Sequence, residues 1–385
     1  MEWNRAFVGM MLTASALVAL SRTFAGEPSQ SPLSSSATVA APGDQTVFRL
    51  CSAETPAGCQ CGPACEKECA GNECGTCCNL CPCVYAEVDG LLMWRNRGFA
   101  NQPIVIDNAT SQTVLSTSDL STGAAGGMRA LIGFQVCGMP VEFNYFGLFD
   151  QFASASVASA TPNAFTLPDG LGRASDVFVG ANRIDVRYDS KIHNAEINFP
   201  CCNCCCNCSC DGDTRCRSWE WMVGFRYLSL RETLDVFGTR IVSGAPETGD
   251  YNIQTHNDLY GAQFGARFRR CLGRLSWEAT GKAGIYGNDA GQAQFVQDYP
   301  NFALRPAIGA GEGRVAFLGE LNLTAIYQLN DTWGLRAGYN LIFIDGLALA
   351  PDQLDFTFTS TSGSVVNSGR NLVLQGVNVG LEARW

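Results

Sequence analysis

The chain ends in GVNVGLEARW, residues 376–385, and these residues decide how the rest is read. Val377, Val379, Leu381, Ala383 and Trp385 fall at every second position, with Asn378, Gly380, Glu382 and Arg384 between them. A helix, at about 3.6 residues per turn, would mix the two sets; a strand separates them onto opposite faces. The segment is therefore a strand with one apolar and one polar face.

The same period runs backward through the chain. In RVAFLGELNLTAIYQL (314–329), Val315, Phe317, Leu321, Leu323, Ala325 and Tyr327 oppose Glu320, Asn322 and Thr324. In TWGLRAGYNLIF (332–343), Trp333, Leu335, Ala337, Tyr339, Leu341 and Phe343 oppose Arg336, Gly338 and Asn340. In SWEWMVGFRYL (218–228), Trp219, Trp221, Val223, Phe225 and Tyr227 oppose Glu220, Gly224 and Arg226. Further strands are predicted at 84–96, 125–136, 139–149, 184–199, 258–270 and 274–287, ten in all, with eight or twelve the neighbouring even counts. Their lengths approach the roughly 9–11 residues with which a tilted strand crosses a bilayer.

The connections separate a membrane barrel from a soluble sandwich. Long ones at 97–124, 150–183, 231–257, 288–312 and 347–371 alternate with short ones at 137–138, 271–273 and 330–331 and a cysteine-rich one at 200–217. Outer-membrane barrels alternate long outer loops with short periplasmic turns in this way. They also reverse the soluble rule, placing apolar rows on lipid and polar rows inside. The polar row here includes Glu87, Asp89, Arg129, Glu196, Glu220 and Arg267 with Glu142, Arg226, Glu278, Lys282, Glu320, Arg336, Glu382 and Arg384, the last eight our lumen candidates. Both charge signs are interspersed, so the groups are expected to pair within a lumen. The fold class is all-β: an antiparallel transmembrane β-barrel preceded by a cysteine-rich segment.

Several blocks of this barrel resemble a known group. YAEVDGLLMWRNRG, WEWMVGFRYLSLRETL, NDLYGAQFGARF and the terminal GVNVGLEARW look like the planctomycete outer-membrane β-barrel proteins, and more distantly like the Legionella-type pore-forming major outer-membrane proteins. The resemblance spans roughly residues 84–385. It implies outer-membrane location, a pore or structural role, and insertion by the barrel-assembly machinery reading the last strand, with Val377, Val379, Leu381 and terminal Trp385 as the signal.

The rest of the composition agrees with export. Residues 1–25 carry Arg5, the apolar run Phe7–Leu20 and a small-x-small site at Thr23-Phe24-Ala25, a secretory signal pattern. Residues 26–50 read as a Ser/Pro/Ala-rich linker and 51–83 as a cysteine-rich periplasmic segment. A formal charge of −10 argues against nucleic-acid partners, and no cofactor is implied.

The 20 cysteines favour disulfides in an oxidising compartment. Ten are Cys51, Cys59, Cys61, Cys65, Cys69, Cys74, Cys77, Cys78, Cys81 and Cys83; eight are Cys201, Cys202, Cys204, Cys205, Cys206, Cys208, Cys210 and Cys216; Cys137 and Cys271 stand alone. With both termini periplasmic, both clusters and both single cysteines fall at one end of the barrel. The reading that accounts for them is a structural barrel with a disulfide-rich periplasmic platform that crosslinks itself or other envelope proteins. The alternative is a narrow passive pore; a third reading has the clusters binding a soft metal, although the irregular spacing and lack of His in them speak against it. Catalytic signals are poor. Of two histidines, His193 falls in a strand, and His256 near Asp258 is the nearest approach to a protease pair. GAGEG (309–313) lacks the Lys and the strand-to-helix context of a phosphate cradle. The chain is read as a non-enzyme. Ten strands leave little room inside, so the lumen is expected to be narrow or closed.

Overall fold

The computed structural model describes residues 84–136, 139–169, 171, 175–201, 208–210, 215–298 and 302–384. The signal, linker and first cysteine-rich segment, with Cys137, Cys202, Cys204, Cys205, Cys206 and Trp385, lie outside these residues.

Among the described residues fourteen strands follow in chain order. They are β1 (Val84–Arg95), β2 (Pro103–Asp107), β3 (Thr113–Ser116), β4 (Ala125–Val136), β5 (Met139–Ala158), β6 (Phe165–Thr166) and β7 (Arg183–Cys201). Then come β8 (Cys208–Cys210), β9 (Arg215–Val242), β10 (Ala245–Leu272), β11 (Leu275–Asp298), β12 (Phe302–Gln328), β13 (Trp333–Ala348) and β14 (Ser368–Arg384). Ten of them close into an antiparallel ring in the order β1, β4, β5, β7, β9, β10, β11, β12, β13, β14 and back to β1. Closure leaves no unpaired edge, which is what lets strands cross hydrocarbon at all. The ring count is the one the sequence predicts. Short β8 adds to the free length of β9 beside the end of β7, and β2, β3 and β6 form a separate small sheet in the long connections. No helix among the described residues is long and apolar enough to cross a membrane; the crossing is made by strands.

The ring carries a continuous outward apolar belt. On β9 it runs Trp219, Trp221, Val223, Phe225, Tyr227, and on β10 from Phe268 through Phe264 to Tyr260. Val315 and Val379 are 72% and 59% exposed, and it is their place in a contiguous apolar row around the ring that points to lipid. Aromatic contacts cluster near the short-turn end, where Trp219 packs edge-on against Trp221 and Trp221 stacks on Phe264. Val379 lies mid-belt, so Val379→Arg is expected to cost about 2–4 kcal/mol in vesicle unfolding titrations. An effect below about 0.5 kcal/mol would move the belt elsewhere.

Above the belt the two faces exchange character. On β9 the outward residues become Ser229, Arg231, Thr233 and Asp235, while Leu228, Leu230, Leu234 and Val236 are buried inside. This exchange corrects two predicted loops. Residues 231–257 are not a long loop but the outer halves of β9 and β10, joined by a two-residue turn. That turn has φ of +51° at Ser243 and +83° at Gly244, the left-handed geometry a tight hairpin needs. Likewise 288–312 is mostly β11 and β12, and β5 continues to Ala158. Cys271, predicted in a turn, sits in β10 one residue before its end. The outward row turns polar where strands leave lipid for water, so an apolar row sought on that face stops at the membrane and the strand does not.

Candidate functional site

The lumen is filled by three stacked layers. Nearest the short-turn end lies an ionic layer, built because inward positions of every ring strand are cut off from both lipid and bulk water. Its centre is Glu196 on β7, which accepts from Arg226 at 2.6 Å, Lys282 at 2.8 Å, Gln263 at 2.9 Å and Asn198 at 3.1 Å. Arg226 also bonds Glu320 across the lumen. Beside it Arg336 pairs with Glu87 at 2.7 Å and Glu382 at 3.2 Å, and Arg269 joins Glu382 at 2.9 Å. Arg129 holds Asp89 at 2.5 Å, and Arg267 reaches Glu142 at 2.7 Å and Glu220 at 3.1 Å. The carboxylates Glu87, Asp89, Glu142, Glu196, Glu220, Glu278, Glu320 and Glu382 face the cations Arg129, Arg226, Arg267, Arg269, Lys282, Arg336 and Arg384, nearly in balance.

The eight nominated lumen residues thus all stand on the inward face, and seven of them meet within this network or its edge through Arg226, Arg336 and Arg267. Arg384 joins it only at the rim, through Glu382 at 3.1 Å. Val377, Val379 and Leu381 stand on the outward face.

The second layer is apolar: Leu91, Met93, Leu148, Ile192, Leu228, Leu230, Leu259, Leu318, Ile342, Ile344 and Leu374. At its seam with the ionic layer, between Arg129, Glu320, Asn340 and Leu91, a cavity has room for about one water molecule.

The third layer is a strap, residues 346–354, that continues from the last residues of β13 and folds inside the wall, while residues 357–361 beyond it are exposed. It starts at Gly346, whose φ is +87°; a Cβ there would come within 2.9 Å of the Val315 carbonyl oxygen, so glycine is required. Its one turn of 3-10 helix, Ala350–Gln353, is wholly buried. Polar inward residues from the outer halves of the strands receive it. Asn257 bonds both the carbonyl and the amide of Ala348 at 2.7 and 2.8 Å, Asn288 donates to Gly346, and Gln294 donates to Gln353. Glu232 accepts from Ala350 N and from Arg95 at 2.9 Å each and from Tyr188 at 2.6 Å. Asp352 accepts from Ala100 N and pairs with Arg370, each at 2.9 Å, yet burial is the larger influence and raises its carboxyl above the ordinary range. Around the strap, Ile104, Val105, Leu120, Phe165, Leu167 and Phe178 from the long connections pack on Ile184, Val186, Leu234 and Val236. Arg95, Glu232, Asn257, Asn288 and Gln294 were not nominated from the sequence. For Glu232, Asn257, Asn288 and Gln294 the signal was alternating polarity within stretches read as loops, and Arg95 stood at the end of a predicted strand.

The two histidines stand elsewhere. His193 faces outward, bonded through Nδ1 to the Tyr145 hydroxyl at 2.9 Å. Asp258 faces outward too, and its carboxylate is held by Arg231 and Tyr227. Hence His256 and Asp258, the one protease-like pair, both stand at outward positions of β10.

Ring, apolar belt and inverted lumen define an outer-membrane β-barrel. Residues 95–295, just over half of the chain, match the family model described as Putative beta barrel porin-7 (BBP7), and the chain belongs to that family. Among curated proteins, none matches. Similar solved structures include the outer membrane protease OmpT from Escherichia coli, 9% identical, covering 78% of this chain and 96% of that one at a TM-score of 0.39. The P. putida toluene transporter TodX is 10% identical over 79% and 90% of the two chains, with a TM-score of 0.23. An anion-selective porin from Comamonas acidovorans is 12% identical over 78% and 98%, with a TM-score of 0.13. At such scores the likeness says nothing of activity.

Proposed function

We propose that this protein is a porin-type outer-membrane barrel with a closed resting lumen, passing little beyond water until its layers are displaced. One observation carries the reading: Arg226 and Arg336, the largest fully buried side chains, lie inside the barrel at 0% and 2% exposure. In a water-filled passage the inward arginines would be wetted. Here they are spent on Glu196, Glu320, Glu87 and Glu382. Ten strands suit this, because barrels near eight strands are filled by side chains while open porins use about sixteen. β1 begins at the short-turn end, which supports a periplasmic N-terminal segment. The outward apolar row of β14 supports insertion through the barrel-assembly machinery into outer-membrane lipid.

The crosslinking platform expected from the cysteine count gains no such support. Most of the two clusters lies outside the described residues. The pore reading, carried by the family and the lumen, replaces it as our main one. In planar bilayers the full mature chain is expected to show unit conductance at least about tenfold below that of an open sixteen-stranded porin. Stable steps of open-porin size would defeat the proposal.

A further inference from the structure

The periplasmic lip holds a register coincidence that pore closure does not use. Strands β9 and β10 are each 28 residues long, and each contains one cysteine. Their ladder sets Cys216 directly opposite Cys271. Two independent placements within strands of 28 residues would coincide about one time in 28. Directly opposite residues of an antiparallel pair share a face and have Cα atoms about 4.5–5.5 Å apart. A disulfide needs about 4.4–6.8 Å between Cα atoms, so the ladder offers the spacing without backbone movement.

We propose that Cys216 and Cys271 form a redox-active pair, closed as a disulfide in the oxidising envelope and stapling β9 to β10 at the lip. Cys216 has a second neighbour on its other side, Cys210 of β8. Cys271 has no such choice, because its other ladder partner is Ser276 of β11. Its thiol accepts a hydrogen bond from the Ser276 hydroxyl at 3.3 Å, so the reduced form is also accommodated. The Cys271 pairing closes a loop of 54 intervening residues against five for Cys210 with Cys216, and longer loops restrict the unfolded chain more. In the closing step the two thiols give up two protons and two electrons and one S–S bond forms. An envelope thiol oxidoreductase disulfide accepts them and becomes a dithiol.

The placement of arginines around both cysteines permits a direct test. Trypsin cleaves after Arg215, Arg217, Arg270 and Arg274, which releases 216–217 and 271–274 as fragments each holding a single cysteine. Cells making the full chain are quenched with acid and a thiol alkylator, and isolated outer membranes are digested without reductant and weighed by mass spectrometry. The expected product is the two fragments joined, disappearing on reduction and absent from Cys271→Ser. Finding 271–274 fully alkylated before reduction, or 216–217 joined to the Cys210 fragment instead, overturns the proposal. The wild-type digest alone distinguishes these outcomes, so poor folding of the serine variant would not weaken the test.

Discussion

Arg226→Met is expected to destabilise the barrel by about 3–5 kcal/mol, the usual consequence of removing one partner from a buried charge network. Arg226 has no exposed side-chain surface and bonds Glu196 and Glu320, themselves buried. Methionine keeps much of the volume but leaves both carboxylates short of a cation, since Lys282 alone remains on Glu196, at 2.8 Å. The loss comes from the stranded carboxylates and not from a missing favourable pair, so the double change Arg226→Met with Glu320→Gln is expected to recover part of it. Unfolding in phospholipid vesicles, followed by tryptophan fluorescence or by the heat-dependent gel shift of the folded barrel, would measure both. A cost below about 1 kcal/mol would mean that water reaches the layer and screens it, and the closed lumen would fall with it.

The sequence revealed the membrane half of this molecule and concealed the other half for one physical reason. Where β9 crosses lipid, Trp219 to Tyr227 must be apolar on the outside, and Glu220 and Arg226 must find partners inside. Lipid on one side and a closed interior on the other leave a clear period two on the outward face, with Met222 the one large apolar residue that turns inward in this stretch. Beyond Tyr227 the outer wall meets water and the inner wall meets the packed strap, so Leu228 and Leu230 turn inward and Arg231 and Asp235 turn outward. The alternation continues with its sign reversed, which a search for outward apolar rows reads as an ending. The strap is less visible still. LALAPDQL (347–354) has neither strand nor helix period, and its burial depends on Asn257, Asn288 and Glu232, distant in sequence. Arg95 likewise looked like a strand terminus; only the folded ring brings it to Glu232.

Glu232→Leu separates the two seals. Glu232 is the only carboxylate bonded to Arg95 among the described contacts, both side chains have no exposed surface, and the same carboxylate receives the Ala350 amide at the start of the buried turn. Leucine would strand the guanidinium and an amide at once, again at about 3–5 kcal/mol. The damage falls on the strap, where Asn257, Asn288 and Gln294 supply neutral hydrogen bonds worth about 1 kcal/mol each and the half-exposed Arg370 on Asp352 is the remaining ion pair. The expected result is that a non-specific protease cuts within the buried residues 346–354 in the variant and not in the wild type, while unit conductance stays near the resting level. Conductance should stay low because the ionic layer below shares no hydrogen bond or ion pair with Glu232 among the described contacts and remains in place, although Leu347 and Leu349 of the strap leave the apolar layer with it. Adding Arg226→Met should then open the passage, with ion flux exceeding that of either single variant. If Glu232→Leu alone conducts, the strap is the sole gate and the ionic layer is permeable; if its strap resists the protease, Glu232 does not hold the strap.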